Sequence, residues 1–509
     1  MSGRQVRPTR AVSSPELLGV SALLIAYFFM RLHNMLALPL FVDEGFHIRA
    51  AEAALRGDLV APGQGYLLHT WTNALLGPQP PGAPWTARAG TILIGLAGLA
   101  ALYALARGFV SRRAGFLAVA LWIAVPHLVF FERMALSDPR LASLGVVAGW
   151  IAWRLVRTGR MLWAAALGGA VFLTVLMKAS GILWLPLPLV AVLLAPRLSA
   201  RRRLVLGLTG YAVFAALYLP LVGFLKIRGY DYRLYLGQSG HLLGGLDAGL
   251  ADRLAQNIRQ AWEIDLAYLG WPLLVLAVLG GVVWLWQRPR AALFALLALG
   301  MAAGAPVVFG LSLASRYLLG HTPWVLLAAA CGADLIARRW RWAGLPILAG
   351  LAAWAALVAV PFQRDAWNAP ADLPVTQDDR AVYFAYDPSG YGTREIGEAL
   401  RAADPLPALG LVANCQSARL AAYPLVVDCP TIRWDSAGSQ AAIFEQAEAL
   451  AADGPIYIIG EALPYIDLSG LPQPHTVLMS VSRPDGLTSV SLYRIEQGAR
   501  QPVRTSGGS

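Results

Sequence analysis

Residues 17–50 read LLGVSALLIAYFFMRLHNMLALPLFVDEGFHIRA, an apolar run that ends in two adjacent carboxylates, Asp43 and Glu44. A helix needs about 20 predominantly apolar residues to cross the hydrocarbon core of a bilayer, and this run supplies them. Spans commonly end in basic or aromatic anchors. An acidic pair in that place raises the question of which side of a membrane it faces.

Further apolar runs follow, separated by short polar breaks. Spans fall near 15–35, 86–106, 114–130, 140–156, 162–177, 181–196, 204–225, 269–287, 291–311, 321–337 and 343–361. They predict a polytopic α-helical membrane protein with eleven transmembrane helices. The composition agrees. Of 509 residues, 57% are hydrophobic and 14% charged, against roughly a quarter charged in a soluble domain. The mean hydropathy is +0.54. Pro126, Pro186 and Pro188 lie inside or near the ends of spans, where neighbouring helices re-satisfy the freed carbonyls.

Arginines orient the bundle. Arg4, Arg7 and Arg10 precede the first span. Arg107, Arg112 and Arg113, then Arg154, Arg157 and Arg160, then Arg197 with Arg201 to Arg203, then Arg288 and Arg290, then Arg338, Arg339 and Arg341 follow in loops on the same side. The positive-inside rule makes that side, and the N-terminus, cytoplasmic. The short opposite loops carry one cation each: Arg133, Lys178 and Arg316. The net charge of +11 is therefore a topology signal. No basic stripe with interleaved aromatics appears, which argues against nucleic-acid binding.

An odd number of spans places residues 362–509 outside. There AVYFAY, LGLVA, YPLVVDC, PIYIIG and TVLMSV read as strands, with TREIGEALRAA and QAAIFEQAEALAA as helices between them. The alternation predicts a small extracytoplasmic α/β domain, with RQPVRTSGGS as a disordered tail. The expected division is 1–361 for the membrane domain and 362–509 for the soluble one. The first span lacks a small-residue cleavage site and reads as an uncleaved anchor. Cys331 lies in a span and reads as packing. Cys415 and Cys429 are either a disulfide or two buried thiols.

The acidic pair then sits outside, and the outer face collects ionisable groups. DEGFHIRAAEAALRGDL reads as an interfacial amphipathic helix with Phe46, Ala50, Ala53 and Ala54 toward one side. FFERMALSDPR adds Glu132, Arg133 and Asp138. Lys178 ends the fifth span and Arg316 the ninth. Ionisable groups at membrane depth are costly and usually functional. Mixed signs suit a phosphate-bearing substrate: cations stabilise charge developing on the phosphate, and a carboxylate takes a proton from the acceptor.

RLHNMLALPLFVDEGFHIRAAE, PWTARAGTILIGLAGLAALYALAR, FFERMALSDPRLAS, LTVLMKASGILWLPLPLV and RYLLGHTPWVLLAA occur in this order across most of residues 31–330. The set resembles the GT-C membrane glycosyltransferases, which include the protein O-mannosyltransferases and the aminoarabinose transferases. The resemblance implies transfer of a sugar from a polyprenyl phosphate to an acceptor hydroxyl of a protein, lipid or glycan, with inversion. It makes Asp43 the base, Glu44 its acidic neighbour and Asp138 a second acidic position. It puts Lys178 and Arg316 on the lipid phosphate, with Arg133 assigned beside them. His47, Tyr66, Tyr232, Tyr317 and His321 are assigned to the sugar or acceptor region. Two departures stand out. Ala179 and Ser180 follow the lysine where Gly-Pro is frequent, and His47 stands where an aromatic is common. No P-loop or Gly-rich nucleotide motif is present, which is consistent with a lipid donor.

Each assignment has a structural alternative. Asp43 and Glu44 could cap the interfacial helix, and Asp138, before Pro139, could do the same for its own. Glu132 could pair with Arg133. Lys178 and Arg316 could snorkel to water. His47, His69, His127 and His321 show no metal-ligand spacing, so no metal site is assigned. A divalent cation stays open, because adjacent carboxylates serve as base or as ligand. The 226–268 loop, with Tyr230, Tyr232, Tyr235 and Trp262, is either a lid or an aromatic belt. Asp378, Asp379 and Asp387 read as solvated loop acids. The rival function is a non-enzymatic lipid-linked-sugar carrier or export component, which would call for ionisable groups or broken helices near mid-membrane.

Overall fold

The computed structural model describes residues 14–60, 65–77, 82–196, 198–229, 249–311, 313–385, 389–402, 408–411, 456–461 and 475–495. All eleven apolar runs fall on helices. Four are long and apolar enough to cross a membrane alone: Ser14–Leu32, Ala83–Phe109, Ala200–Ile227 and Arg341–Asn368. Two bent pairs raise the number to six, and Met161–Met177, Ala179–Leu194 and Pro289–Gly304 are shorter apolar helices. The chain is an integral membrane protein by these helices.

The bends have local causes. Arg112–Ala124 and Pro126–Glu132 meet at 58°, where Pro126 has no N–H to continue the helix. Leu250–Tyr268 and Trp271–Gln287 meet at 112°. Gly270 makes that corner at φ +76°, a conformation a side chain would oppose. One continuous hydrophobic core runs through the bundle, with Trp122, Trp284, Trp324, Phe130, Phe131 and Phe294 among its largest buried side chains.

The bundle has two polar ends. At one, the buried Glu16 carboxylate forms ion pairs with Arg107 at 3.1 Å and Arg112 at 3.0 Å, and Asp334 accepts from Ser111 and pairs with Arg338. These are the arginine-rich loops. At the other end lie Asp43, Asp138, Lys178 and Arg316. There Val42–Leu55 forms the expected helix, but its buried side is Gly45, Ile48, Ala51 and Ala54, while Phe46 is 56% exposed. Ala50 and Ala54 of the expected face are buried and Ala53 is half-buried, so Phe46 alone departs from it.

The C-terminal part contains a four-stranded sheet: β1 (Ala408–Leu411), β2 (Ile456–Glu461), β3 (His475–Ser482) and β4 (Ser489–Ile495). Its order is β1-β2-β4-β3. β1 and β2 run parallel, and β4 is antiparallel to both its neighbours. Thr393–Ala402 is helical, as TREIGEALRAA suggested. LGLVA, PIYIIG and TVLMSV overlap β1, β2 and β3. β4, SVSLYRI, went unrecognised. AVYFAY is corrected: residues 381–385 form a turn of π-helix, and Tyr383 in it packs on Phe41 and Phe130. YPLVVDC, QAAIFEQAEALAA, Cys415, Cys429, Asp387, Tyr230, Tyr232 and Tyr235 lie outside the described residues.

The last long helix passes residue 361 and ends at Asn368. The chain then folds back on the bundle. Gly390 lies against the backbone of Leu40, where a Cβ would collide with the Leu40 carbonyl. Ala385 O accepts from Thr488 Oγ1 at 2.6 Å and Arg483 Nη1 at 3.1 Å. The β3–β4 hairpin is thereby tied to the π-helical turn.

Candidate active site

Four separate segments meet at the Asp43 end. Arg316 Nη1 donates to Asp43 Oδ2 at 2.5 Å, and Lys178 Nζ to Asp138 Oδ1 at 2.5 Å. The Tyr317 ring lies between the two cations, 5.0 Å from Lys178 Nζ and 5.3 Å from Arg316 Cζ. Tyr66 borders Lys178 on another side, at 5.9 Å, and the His47 ring meets Tyr66 at 5.2 Å and His69 at 4.2 Å. So Asp43, Asp138, Lys178, Arg316, Tyr66, Tyr317 and His47 form one constellation.

Local structure places each member. Asp43 opens the Val42–Leu55 helix and Asp138 the Ser137–Thr158 helix, so both carboxylates sit on positive helix ends. Lys178 is the extended residue between the Met161–Met177 helix and a 3-10 turn. Arg316 and Tyr317 occupy the 3-10 turn Ser315–Leu318.

Electrostatics follow from this packing. Burial pulls the Lys178 ammonium down, but the Asp138 carboxylate beside it prevails and holds it above the ordinary lysine value. Arg316 is likewise raised: burial opposes its charge, and Tyr383 and Asp43 favour it. Burial pushes the His47 imidazole down to about 4, against the pull of Asp43. His47 is therefore neutral near pH 7. Burial also raises the Tyr66 phenol, which stays protonated.

Several assigned residues are engaged elsewhere. Glu44 is fully buried, and Arg88 grips it through two bonds of 2.8 and 2.7 Å. Glu44 also accepts from the N–H groups of Ala135 and Phe41. It ties the loop before Asp43 to the Ala83–Phe109 helix. Arg133 is 2% exposed and donates to the carbonyls of Met30, His33, Asn34 and Ala366, so its guanidinium is not presented to a phosphate. Glu132 pairs with Arg31 at 2.8 Å and with Trp122 at 2.9 Å rather than with Arg133. His321 meets Asp265 at 2.8 Å and the Leu318 carbonyl, away from the constellation. Tyr232 lies outside the described residues.

Other residues went unrecognised. Arg88 also donates to Met35, Leu38 and Pro39 carbonyls, fixing the 35–44 loop. The available signal was an arginine inside an expected span, where it is costly unless engaged. Arg140 ties Thr72, Asn73, Thr91 and Ala87 together. Tyr383 packs on Phe41 at 4.7 Å, and its phenol feels Arg316 and then Asp379, Asp138 and Asp43. Asp379 is corrected from a solvated acid to a buried one, 4% exposed. Among the described residues, no group of three or more His, Cys, Asp and Glu side chains is placed to hold a metal ion.

A separate apolar groove of about 640 Å³ runs beside the bundle, lined by Trp262, Trp271, Leu274, Val278, Leu285 and Trp324. Asp265, the partner of His321, also lines it.

No protein-family model and no curated protein sequence matches the chain. Solved structures do. ArnT from Cupriavidus metallidurans, bound to undecaprenyl phosphate, aligns over 95% of this chain and 98% of its own, with a TM-score of 0.64 and 16% identity. The Archaeoglobus fulgidus oligosaccharyltransferase in its apo form aligns over 88% of this chain and 69% of its own, with a TM-score of 0.58 and 12% identity. The arabinofuranosyltransferase AftD from Mycobacteria covers 96% of this chain over 40% of its own, with a TM-score of 0.50 and 16% identity. All three are GT-C glycosyltransferases. The chain has the GT-C fold. At these identities the likeness is one of architecture, and the GT-C fold by itself leaves the chemistry to be argued from the site.

Proposed function

We propose that this chain is a glycosyltransferase that moves a sugar from a polyprenyl phosphate to an acceptor hydroxyl on the extracytoplasmic face, with inversion at the anomeric carbon. The supporting observation is the pair of carboxylate–cation contacts, Asp43–Arg316 and Asp138–Lys178, brought together across Tyr317 from four distant segments. The GT-C fold, seen in a structure bound to undecaprenyl phosphate, fits such a donor.

The roles follow from charge. An incoming phosphate competes with Asp43 and Asp138 for Arg316 and Lys178. Once the phosphate takes the cations, Asp43 is released as a carboxylate able to accept a proton. The acceptor oxygen then bonds to the anomeric carbon, and its proton passes to Asp43. The bond from that carbon to the phosphate oxygen breaks, and its electrons leave on the polyprenyl phosphate, which Lys178 and Arg316 stabilise. Tyr66, Tyr317 and neutral His47 surround the space where the sugar would sit. Glu44 acts on Asp43 only by fixing its loop. The apolar groove that Asp265 helps to line suits an isoprenoid tail. Residues 362–509 form, in this reading, an extracytoplasmic unit whose first part closes over the site.

The test is donor turnover by the purified chain in lipid, with a panel of polyprenyl-phosphate sugars and membrane extract as acceptor source. Release of polyprenyl phosphate that disappears in Asp43→Asn supports the reading. Equal release by the correctly folded variant would overturn it.

A further inference from the structure

We propose that Asp379 is a positioning residue for Arg316, and that the 376–385 segment carrying it forms a wall of the site. The proposal deepens the reading above and rests on Arg316 binding the donor phosphate. The sequence TQDDR offers two adjacent acids, and the structure separates them: Asp378 is exposed and Asp379 is buried. One oxygen of Asp379, Oδ2, accepts from three hydroxyls: Tyr268 at 2.5 Å, Thr376 at 2.8 Å, and Ser315. Among the described residues it forms no ion pair. A buried carboxylate without a cation is costly, and three donors on one oxygen offset that cost.

What those donors belong to gives the arrangement its meaning. Thr376 caps the turn that carries Asp379. Tyr268 ends the helix before the sharp corner at Gly270. Ser315 is the residue immediately before Arg316 and opens its 3-10 turn. The other side of the turn is held by His127, whose Nε2 meets the Ser315 carbonyl at 3.1 Å and whose Nδ1 meets Thr322 Oγ1 at 2.8 Å. The His127 ring stacks on Tyr268 at 4.8 Å. Asp379, Ser315, His127 and Tyr268 thus close a ring behind the arginine. One helical turn beyond Asp379, Tyr383 covers one part of Phe41 at 4.7 Å, while Arg316 lies over the same ring at 5.8 Å. Arg316 is fixed at its backbone by this ring and at its guanidinium by Asp43. Supporting contacts of this kind set how precisely a binding group is held.

The test is binding of undecaprenyl phosphate in nanodiscs to the full-length chain. It compares wild type, D379N, S315A, R316M and the double variant D379N/R316M, with D378N as control. D379N and S315A are expected to weaken binding about tenfold, a difference of about 1.4 kcal/mol. In the R316M background D379N should add less than about twofold, because coupled residues are not additive. D378N should bind as wild type. Wild-type affinity in both folded D379N and S315A overturns the proposal, as does a full additive loss in the double variant. A purely structural role would lower thermal stability and leave the affinity of the folded fraction unchanged. If R316M itself binds as wild type does, the phosphate-holding role of Arg316 fails first, a result separable from failure of Asp379.

Discussion

Glu44 and Arg88 make the sharpest test of which carboxylate of the acidic pair does chemistry. Both side chains are essentially inaccessible, at 0% and 1%. The pair is bidentate, and its remaining capacity is taken by backbone groups of Phe41, Ala135, Met35, Leu38 and Pro39. Glu44→Gln leaves the guanidinium buried with carbonyls alone, and Arg88→Gln leaves the carboxylate with two N–H donors. Breaking one side of such a pair costs about 3–5 kcal/mol, whereas neutral replacement of both partners is often tolerated. The double variant, Glu44→Gln with Arg88→Gln, should therefore be more stable than either single one. Thermal unfolding followed by tryptophan fluorescence, with 17 tryptophans as reporters, reads this directly. Transfer activity should fall in both single variants, because Asp43 is the adjacent residue, and recover in part in the double. Single variants within about 1 kcal/mol of wild type would refute the structural tie, since surface-like changes fall in that range. Restored stability without any restored activity would return Glu44 to a direct chemical role.

Further outcomes follow from the same geometry. Lys178→Met and Arg316→Met should each weaken donor binding on the order of 10- to 100-fold, the range of a charge-assisted hydrogen bond, as read by titration with a polyprenyl phosphate. Asp43→Asn should cut transfer by several orders of magnitude, on the order of a lost general base together with lost acceptor placement, while donor binding persists. His47 is depressed from 6.5 to about 4 in the folded chain, so folding favours its neutral form. The stability this contributes is complete above about pH 6.5 and is lost as pH falls toward about 4; in His47→Gln, melting temperature should vary less with pH across that window. Gly390→Ala should push the backbone at 390 off Leu40 and reduce turnover, with donor turnover measured beside a melting curve to confirm folding.

The helices were legible because their signal is redundant: long apolar runs, arginine breaks and a shortage of charge all report the same thing. The four charged groups of the site were legible for the opposite reason, as ions where apolar spans end, Lys178 and Arg316 the sole cations of their short loops. What could not be read is where a side chain is already satisfied. Arg133 looked like Lys178 in sequence, yet four carbonyls claim it. Asp379 looked like Asp378, yet one faces hydroxyls and the other water. AVYFA carries strand-forming residues, and tertiary packing against Phe41 and Phe130 overrides them. The helical bend at Gly270 was also unmarked, because a lone glycine in an apolar stretch has many meanings.

The bond from Thr488 to the Ala385 carbonyl has a consequence for biogenesis. A ribosome finishes the bundle and the Tyr383 turn about 100 residues before it finishes β4, which at roughly 5–20 residues per second is a delay of several seconds or more. Until the hairpin arrives, the Ala385 carbonyl lacks both donors, and the turn is held from the bundle side alone, through Asp379 and Tyr383. The newborn chain therefore carries this wall of its site fastened on one side, and the β3–β4 hairpin fastens the other.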